Sequence, residues 1–124
     1  GVGYLVEVDG LVLFHAGDHA NRHRDLSGDY TPEIDFIRER GVRPDIAFLP
    51  ITGCNFGDRV AVEIGAEYTL RTLEPRMFLP MHGGFLECRY GPPNAECRRR
   101  FPGIETAAVE NRGDDFRYRR VRPS

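Results

Sequence analysis

The stretch LVLFHAGDHANRH, residues 11–23, joins four consecutive apolar residues to a Gly-Asp pair and three histidines. An apolar run without alternation is typical of a strand that is covered on both faces of its sheet. The run ends at Gly17-Asp18, because an ionised carboxylate is costly inside an apolar layer unless its charge is compensated. This stretch therefore predicts a central strand that delivers Asp18 to one edge of a sheet.

The residues before this strand predict its partner. Residues 3–8 (GYLVEV) have strand composition, and Asp9-Gly10 favours the positive φ angles of a type I′ turn. Together with residues 11–16 they predict a β-hairpin.

Beyond the opening stretch, helix and strand patterns alternate. Thr31-Pro32 predicts the N-cap and first position of a short helix that ends at Gly41. Residues 45–51 (DIAFLPI) and 76–81 (RMFLPM) predict two further buried strands. Asp58 is expected to cap a helix over residues 59–73 between them, so the alternation predicts right-handed crossovers and a layered α/β fold.

The last third of the chain gives weaker patterns. We expect residues 85–103 to form an irregular, proline-bearing and glycine-bearing segment. IETAAVE (104–110) and FRYRRV (116–121) predict a closing hairpin at the sheet edge. The tail arginines alternate with aromatic residues, which favours a solvated edge strand over a nucleic-acid site.

Asp18 and His82 are the residues with the clearest chemistry. Each follows a predicted strand, and the carboxyl ends of strands in an open α/β sheet share the edge where ligands bind. Aspartate and histidine are typical ligands of zinc and manganese. The sequence therefore predicts that Asp18 and His82 converge on a metal, although two ligands alone do not complete a site.

Three quoted strings carry a family resemblance: GYLVEVDGLVLFHAGDH (3–19), PDIAFLPITG (44–53) and EPRMFLPMHGG (74–84). Together they resemble the carboxyl-terminal half of a metallo-β-lactamase-fold metal-dependent hydrolase, in the branch that includes L-ascorbate-6-phosphate lactonase. The resemblance implies one half of an αββα sandwich, a mixed sheet with helices packed on one face. Residues 1–124 would then be the carboxyl-terminal half of one domain, whose amino-terminal metal-binding half is absent.

The same resemblance implies roles for two residues. Asp18 would bridge two ions, zinc or manganese, and His82 would bind the second. The family's His-x-His-x-Asp-His cluster does not occur in this chain, whose first residue is Gly1 rather than methionine, so we expect a piece of a longer protein. The intact enzyme would hydrolyse a small-molecule ester, lactone or phosphoester, and the isolated chain would be inactive.

Alternatives remain open for each of these assignments. The alternative interpretation of Asp18 is a loop-capping carboxylate, and that of His82 is a hydrogen-bonded core histidine. His15, His19 and His23 are spaced by four, but the strand pattern argues against a helical zinc face. The alternative interpretation of the whole chain is a non-catalytic interaction or dimerisation module. Either interpretation predicts that its exposed apolar sheet face is covered by the missing half or by self-association.

Two further residues are interpreted as structural. Asp45 begins its predicted strand and should lie at the end opposite the metals, and Cys54 is interpreted as an incidental thiol near the cleft. A net charge of −2 and a pI near 6.1 give no pull toward nucleic acid or membrane surfaces. Three cysteines at unrelated spacings favour a cytoplasmic location.

Overall fold

The computed structural model describes residues 2–51, 58–81, 91–107, 109, 111 and 113–120. Within these ranges, a five-stranded sheet packs with helices in an α/β arrangement, as predicted. In chain order the elements are β1 (Tyr4–Val8), β2 (Leu11–His15), α1 (Tyr30–Glu39), β3 (Ile46–Pro50), α2 (Arg59–Leu73), β4 (Met77–Met81), α3 (Gly91–Arg100) and β5 (Glu105–Thr106).

The strands lie in the sheet in the same order as in the chain. β1 and β2 are antiparallel, and β2 to β5 are parallel neighbours, so the sheet is mixed. The hairpin turn has positive φ at Asp9 (51°) and Gly10 (79°), as the predicted type I′ turn requires. Right-handed crossovers that all step in one direction place their helices on the same face of the sheet.

The helix-covered face of the sheet contains the main core. Its strand residues alternate along the chain, as in Phe14 and Ala16 of the β2 segment or Ala47 and Leu49 of β3. The helical members of this core come from α1, α2 and α3, which confirms the prediction of helices packed on one face. They are Tyr30, Ile34, Ala66, Leu70, Leu73 and Cys97.

The other face of the sheet, here called the second face, has a smaller apolar cluster. It is centred on Ile46, Met77 and Leu79, which alternate with the residues of the main core. Phe116 and Tyr118 of the tail pack against it. Side chains therefore cover both faces of β3 and β4, as their uninterrupted apolar sequences predicted.

The helix predicted over residues 59–73 is confirmed as α2. Asp58 accepts a hydrogen bond from the Val60 N–H at 3.1 Å, and Glu74 ends the helix with a left-handed φ of 48°. The predicted start of α1 was wrong by two residues, because Asp29 rather than Thr31 occupies the N-cap. Pro32 therefore lies in the first turn of α1, where proline is tolerated because the first helical N–H groups have no intrahelical partner.

The prediction of an irregular segment over residues 85–103 was wrong for the part that the structure describes. Residues 91–100 form α3. Its prolines lie in the first turn, where a missing N–H removes no helical hydrogen bond. Glu96 pairs with Arg99 at 2.6 Å, an i,i+3 contact that supports the following turn.

The prediction of a closing hairpin at the sheet edge was also wrong. Among the described residues of the first predicted arm, only Glu105–Thr106 forms a strand, and it pairs in parallel with β4 rather than with the tail. Residues 114–120 belong to no strand. Their period-two alternation places Phe116 and Tyr118 against the second face as side-chain packing, without strand pairing.

Asp45 lies immediately before β3, at the amino ends of the parallel strands, and is fully buried. Its carboxylate accepts hydrogen bonds from the Val12 N–H at 2.8 Å, the Tyr118 hydroxyl at 2.8 Å and Arg120 Nε at 2.7 Å. Arg76 Nε lies 3.6 Å away. The carboxylate thus joins β2, β3, the start of β4 and the tail, which fits the structural role predicted for it.

This environment predicts a pH dependence of stability. The Arg120 guanidinium, with the Val12 N–H and the Tyr118 hydroxyl, lowers the pKa of Asp45 to about 2 against the effect of burial. Its unfolded pKa is about 3.9, so the stabilisation is complete above that pH and is lost as the pH falls toward 2. We expect Asp45→Asn to have a free energy of unfolding about 2 kcal/mol lower than that of the native chain at pH 5.

The measurement is urea unfolding of both proteins at several pH values between 5 and 2.5. The difference between them should narrow steadily over this range, because protonated aspartate and asparagine are both neutral. A difference that stays constant from pH 5 to 2.5 would contradict the assigned pKa.

Helix length and polarity also bear on membrane insertion. Among the described residues, the helices are too short or too polar to cross a bilayer.

Candidate functional site

The carboxyl ends of β2, β3 and β4 lie side by side at one edge of the sheet. His15 of β2 is in register with Phe48 of β3, and Pro50 at the end of β3 is in register with Met81 of β4. The Ile51 N–H donates to the Met81 carbonyl at 3.0 Å, which keeps these two strand ends together. The topology that sequence analysis required for a shared site is therefore present.

Asp18 follows β2 at this edge, on a tight turn. The His19 N–H donates to the Ala16 carbonyl at 3.0 Å, and Gly17 has a φ of 60°. A Cβ at Gly17 would lie 2.6 Å from the Val2 carbonyl oxygen, so both the backbone angle and the space require glycine. The turn leaves the Asp18 side chain exposed.

His82, the second predicted ligand, lies outside the described residues, as do Cys54 and Cys88. The strand before His82 ends at Met81, beside the end of β3. Its convergence with Asp18 remains a prediction.

A polar pocket of about 220 Å³ opens beside Asp18. Its walls are the loop that follows β2 and the N-cap and first residue of α1, Asp29 and Tyr30. They include Asp18, His19, His23 and Asp29. The predicted metal ligand thus lies in a concave, polar site of small volume.

The three histidines of the opening stretch have separate environments. The His15 Nδ1 accepts a hydrogen bond from the Gly17 N–H at 3.1 Å and so supports the turn that bears Asp18. His19 stacks on Tyr30 with ring centroids 5.1 Å apart, and its Nε2 lies 2.5 Å from Glu33 Oε2, out of line for a hydrogen bond. His23 is exposed, and no helix spans these three positions, so they do not line one helical face.

Asn21 anchors this loop, and sequence analysis missed it. Its side chain is 1% exposed, and Nδ2 donates to the His23 carbonyl at 2.7 Å and to the Ala61 carbonyl of α2 at 2.8 Å. A Cβ on Gly65 of α2 would lie 2.3 Å from Asn21 Cβ, so the loop packs directly on the helix backbone. Glycine inside a helix is unfavourable by roughly 1 kcal/mol relative to alanine, and this was the available signal of a close approach.

An ion pair and a buried hydrogen bond also join the segment before α1 and the first residue of α1 to α2 and its N-cap. Arg24 Nε lies 2.5 Å from Asp58 Oδ2, and this hydrogen bond lowers the pKa of Asp58. The Tyr30 hydroxyl and Thr69 Oγ1 are 2.5 Å apart, and burial raises the pKa of Tyr30 to about 12. Asp58 and Tyr30 therefore act here as fixed hydrogen-bonding groups at neutral pH.

The described residues do not complete a metal site by themselves. Asp18 supplies a carboxylate of suitable chemistry, but no group of three or more His, Cys, Asp or Glu side chains in this part of the chain has metal-binding geometry. A tight divalent site takes three or four protein ligands.

Comparison with known proteins finds a similarity to a curated protein. A UPF0173 metal-dependent hydrolase of Heliobacterium modesticaldum is 39% identical over 83 residues. The chain is similar to a metal-dependent hydrolase. The match covers 64% of this chain and 29% of that protein, so the chain spans less than a third of the length of the curated relative. No protein-family model matches the chain.

The similarity to the UPF0173 metal-dependent hydrolase agrees with the broader part of the family resemblance found in the sequence. It does not single out the branch that includes L-ascorbate-6-phosphate lactonase.

Proposed function

We propose that this chain is the carboxyl-terminal half of a metal-dependent hydrolase and contributes Asp18 and His82 to its metal centre. The observation that carries the proposal is the placement of Asp18 on a glycine-dependent turn, at the sheet edge where β3 and β4 also end. The similarity to a UPF0173 metal-dependent hydrolase supports a divalent metal as the cofactor.

The intact protein, in this proposal, uses two ions of zinc or manganese and cleaves an ester, a lactone or a phosphoester of a small molecule. Bound metal would supply an acidified water and polarise the bond to be cleaved. The task of the described residues is to hold the Asp18 carboxylate in place. Asn21 and Arg24 do so by fixing the loop to α2, and His15 does so by supporting the turn.

The isolated chain, in the same proposal, lacks hydrolytic activity because most of the ligands belong to an amino-terminal half. Either that half or a second copy of the chain covers the exposed part of the sheet. We place the protein in the cytoplasm on the basis of its cysteine pattern, and buried Cys97 is a free thiol.

A non-catalytic interaction or dimerisation module is the second candidate function, and the exposure of β1 favours it. All five side chains of β1 are exposed, and Tyr4 (58%), Val6 (44%) and Val8 (45%) are large apolar residues on one face of the strand. An exposed apolar strand is typical of a surface that pairs with another chain or domain. In this reading, Asp18 would be a loop carboxylate without a metal.

Zinc titration of the intact protein, measured by equilibrium dialysis, distinguishes the two functions. We expect Asp18→Asn and His82→Asn each to weaken zinc binding by at least about tenfold, because each removes a ligand rather than a supporting contact. Asp115→Asn, which changes an exposed carboxylate of the tail, should leave binding unchanged. Absence of zinc binding by the intact native protein, or equal binding by all four proteins, would favour the interaction module.

A further inference from the structure

The tail residues 114–120, here called the strap, lie against the second face of the sheet without forming a strand. Phe116 and Tyr118 pack on the cluster of Ile46, Met77 and Leu79. Both aromatic residues are half-buried, whereas the intervening Arg117 and Arg119 are exposed. The strap thus covers apolar surface with two rings and offers charged side chains to the solvent.

The polar contacts that attach the strap to the core are made to one residue, Asp45. Arg120 donates to both oxygens of Asp45, and the Tyr118 hydroxyl donates to Oδ1 at 2.8 Å. No backbone hydrogen bond joins residues 115–120 to the rest of the described chain. The nearest one, from the Asp114 N–H to the Asn111 carbonyl at 3.1 Å, is internal to the tail.

Contacts that do not involve the strap also hold Asp45 in place. Its carboxylate accepts a hydrogen bond from the Val12 N–H and lies 3.6 Å from Arg76 Nε, and the Asp45 N–H donates to the Val12 carbonyl at 2.7 Å. These contacts belong to the sheet and its edges. Loss of the strap therefore leaves Asp45 with partners, and the sheet keeps its hydrogen bonds.

We propose that residues 114–120 form a releasable strap, latched by Arg120 and Tyr118 on Asp45, that opens without unfolding of the α/β core. A segment with few buried contacts and no backbone pairing belongs to the least stable part of a fold and opens locally. Opening uncovers Ile46, Met77 and Leu79 beside half-buried Leu13 and Phe48. Opening therefore enlarges the exposed apolar area of the second face.

Limited proteolysis with chymotrypsin tests this strap, because the enzyme cleaves after aromatic residues and both strap aromatics are available. Arg120→Ala removes the latch, and Arg119→Ala removes a neighbouring exposed arginine of the same segment. We expect cleavage after Phe116 and Tyr118, assigned by mass spectrometry, to be at least about tenfold faster in Arg120→Ala than in Arg119→Ala or the native chain. Tyr118→Phe, which loses only the hydroxyl, should fall between them.

Measurements of the core make the result decisive. In the absence of urea, the far-ultraviolet circular dichroism of Arg119→Ala and Arg120→Ala should be the same, although loss of the pair with Asp45 lowers the urea midpoint of Arg120→Ala. An apolar fluorescent dye should bind more strongly to Arg120→Ala. Equal cleavage of the two variants would overturn the proposal. Faster cleavage that follows a matching loss of the core's circular dichroism would overturn it too, since the strap would then open only with the whole domain.

Discussion

Asp45→Ala is expected to lower the free energy of unfolding by about 3 kcal/mol, since removal of one partner from a buried ion pair is strongly destabilising. The carboxylate is fully buried and accepts from Val12, Tyr118 and Arg120. Alanine leaves the Val12 N–H without its side-chain acceptor and leaves a small void below the strap. Because Arg76 and Arg120 reach solvent, they can hydrate, and this keeps the loss at the lower end of the range.

Urea unfolding at pH 7 measures this loss, with Asp115→Ala as the matched control. Asp115 lies in the same tail and is exposed, so its removal should change stability by less than about 0.5 kcal/mol. If Asp45→Ala were as stable as Asp115→Ala, the carboxylate would not hold the amino ends of β2 and β3 to the tail.

Gly65→Val is expected to have a similarly large effect and to act directly on the candidate site. Even the first added carbon would lie 2.3 Å from Asn21 Cβ and 3.4 Å from Asn21 Cα. Contacts that short force the loop away from α2, and overpacking of this kind costs roughly 1–3 kcal/mol. The β-branched side chain is also unfavourable in a helix, so we expect a total loss of about 3 kcal/mol.

Gly103→Val is the control, because a Cβ at Gly103 meets nothing within 4 Å. Thermal unfolding should show a lower midpoint for Gly65→Val alone. Hydrogen exchange of residues 18–24 should rise in the same variant, since the Asn21 Nδ2 bond to the Ala61 carbonyl is stretched or lost. A normal midpoint with unchanged exchange would show that the loop does not depend on this close approach.

Much of the fold followed from local patterns. Asp9-Gly10 specified the hairpin turn, and Asp58 specified the start of α2. Both predictions succeeded because turn geometry and helix capping depend on neighbouring residues alone. The prediction of an irregular segment failed over residues 91–100 because it took Gly91 and the following prolines as helix breakers. Proline disrupts a helix interior but is tolerated in the first turn, where these prolines lie in α3.

One part of the candidate site also followed from local patterns, and another part did not. The strand pattern and Gly17-Asp18 placed the carboxylate at the end of β2, and the parallel register of β2 to β4 confirmed that these strand ends are neighbours. Asn21 was not found, because its importance comes from Ala61 and Gly65, which are about forty positions away in the chain.

The sequence by itself determined the α/β class, the hairpin, the buried strands and the position of Asp18, because each depends on the order of apolar residues, turn residues and caps along the chain. Only the tertiary structure decided that Asn21 fixes the loop and that Arg120 reaches back to Asp45. The physical reason is that a buried polar side chain must find its partners in space, and those partners can lie anywhere in the sequence.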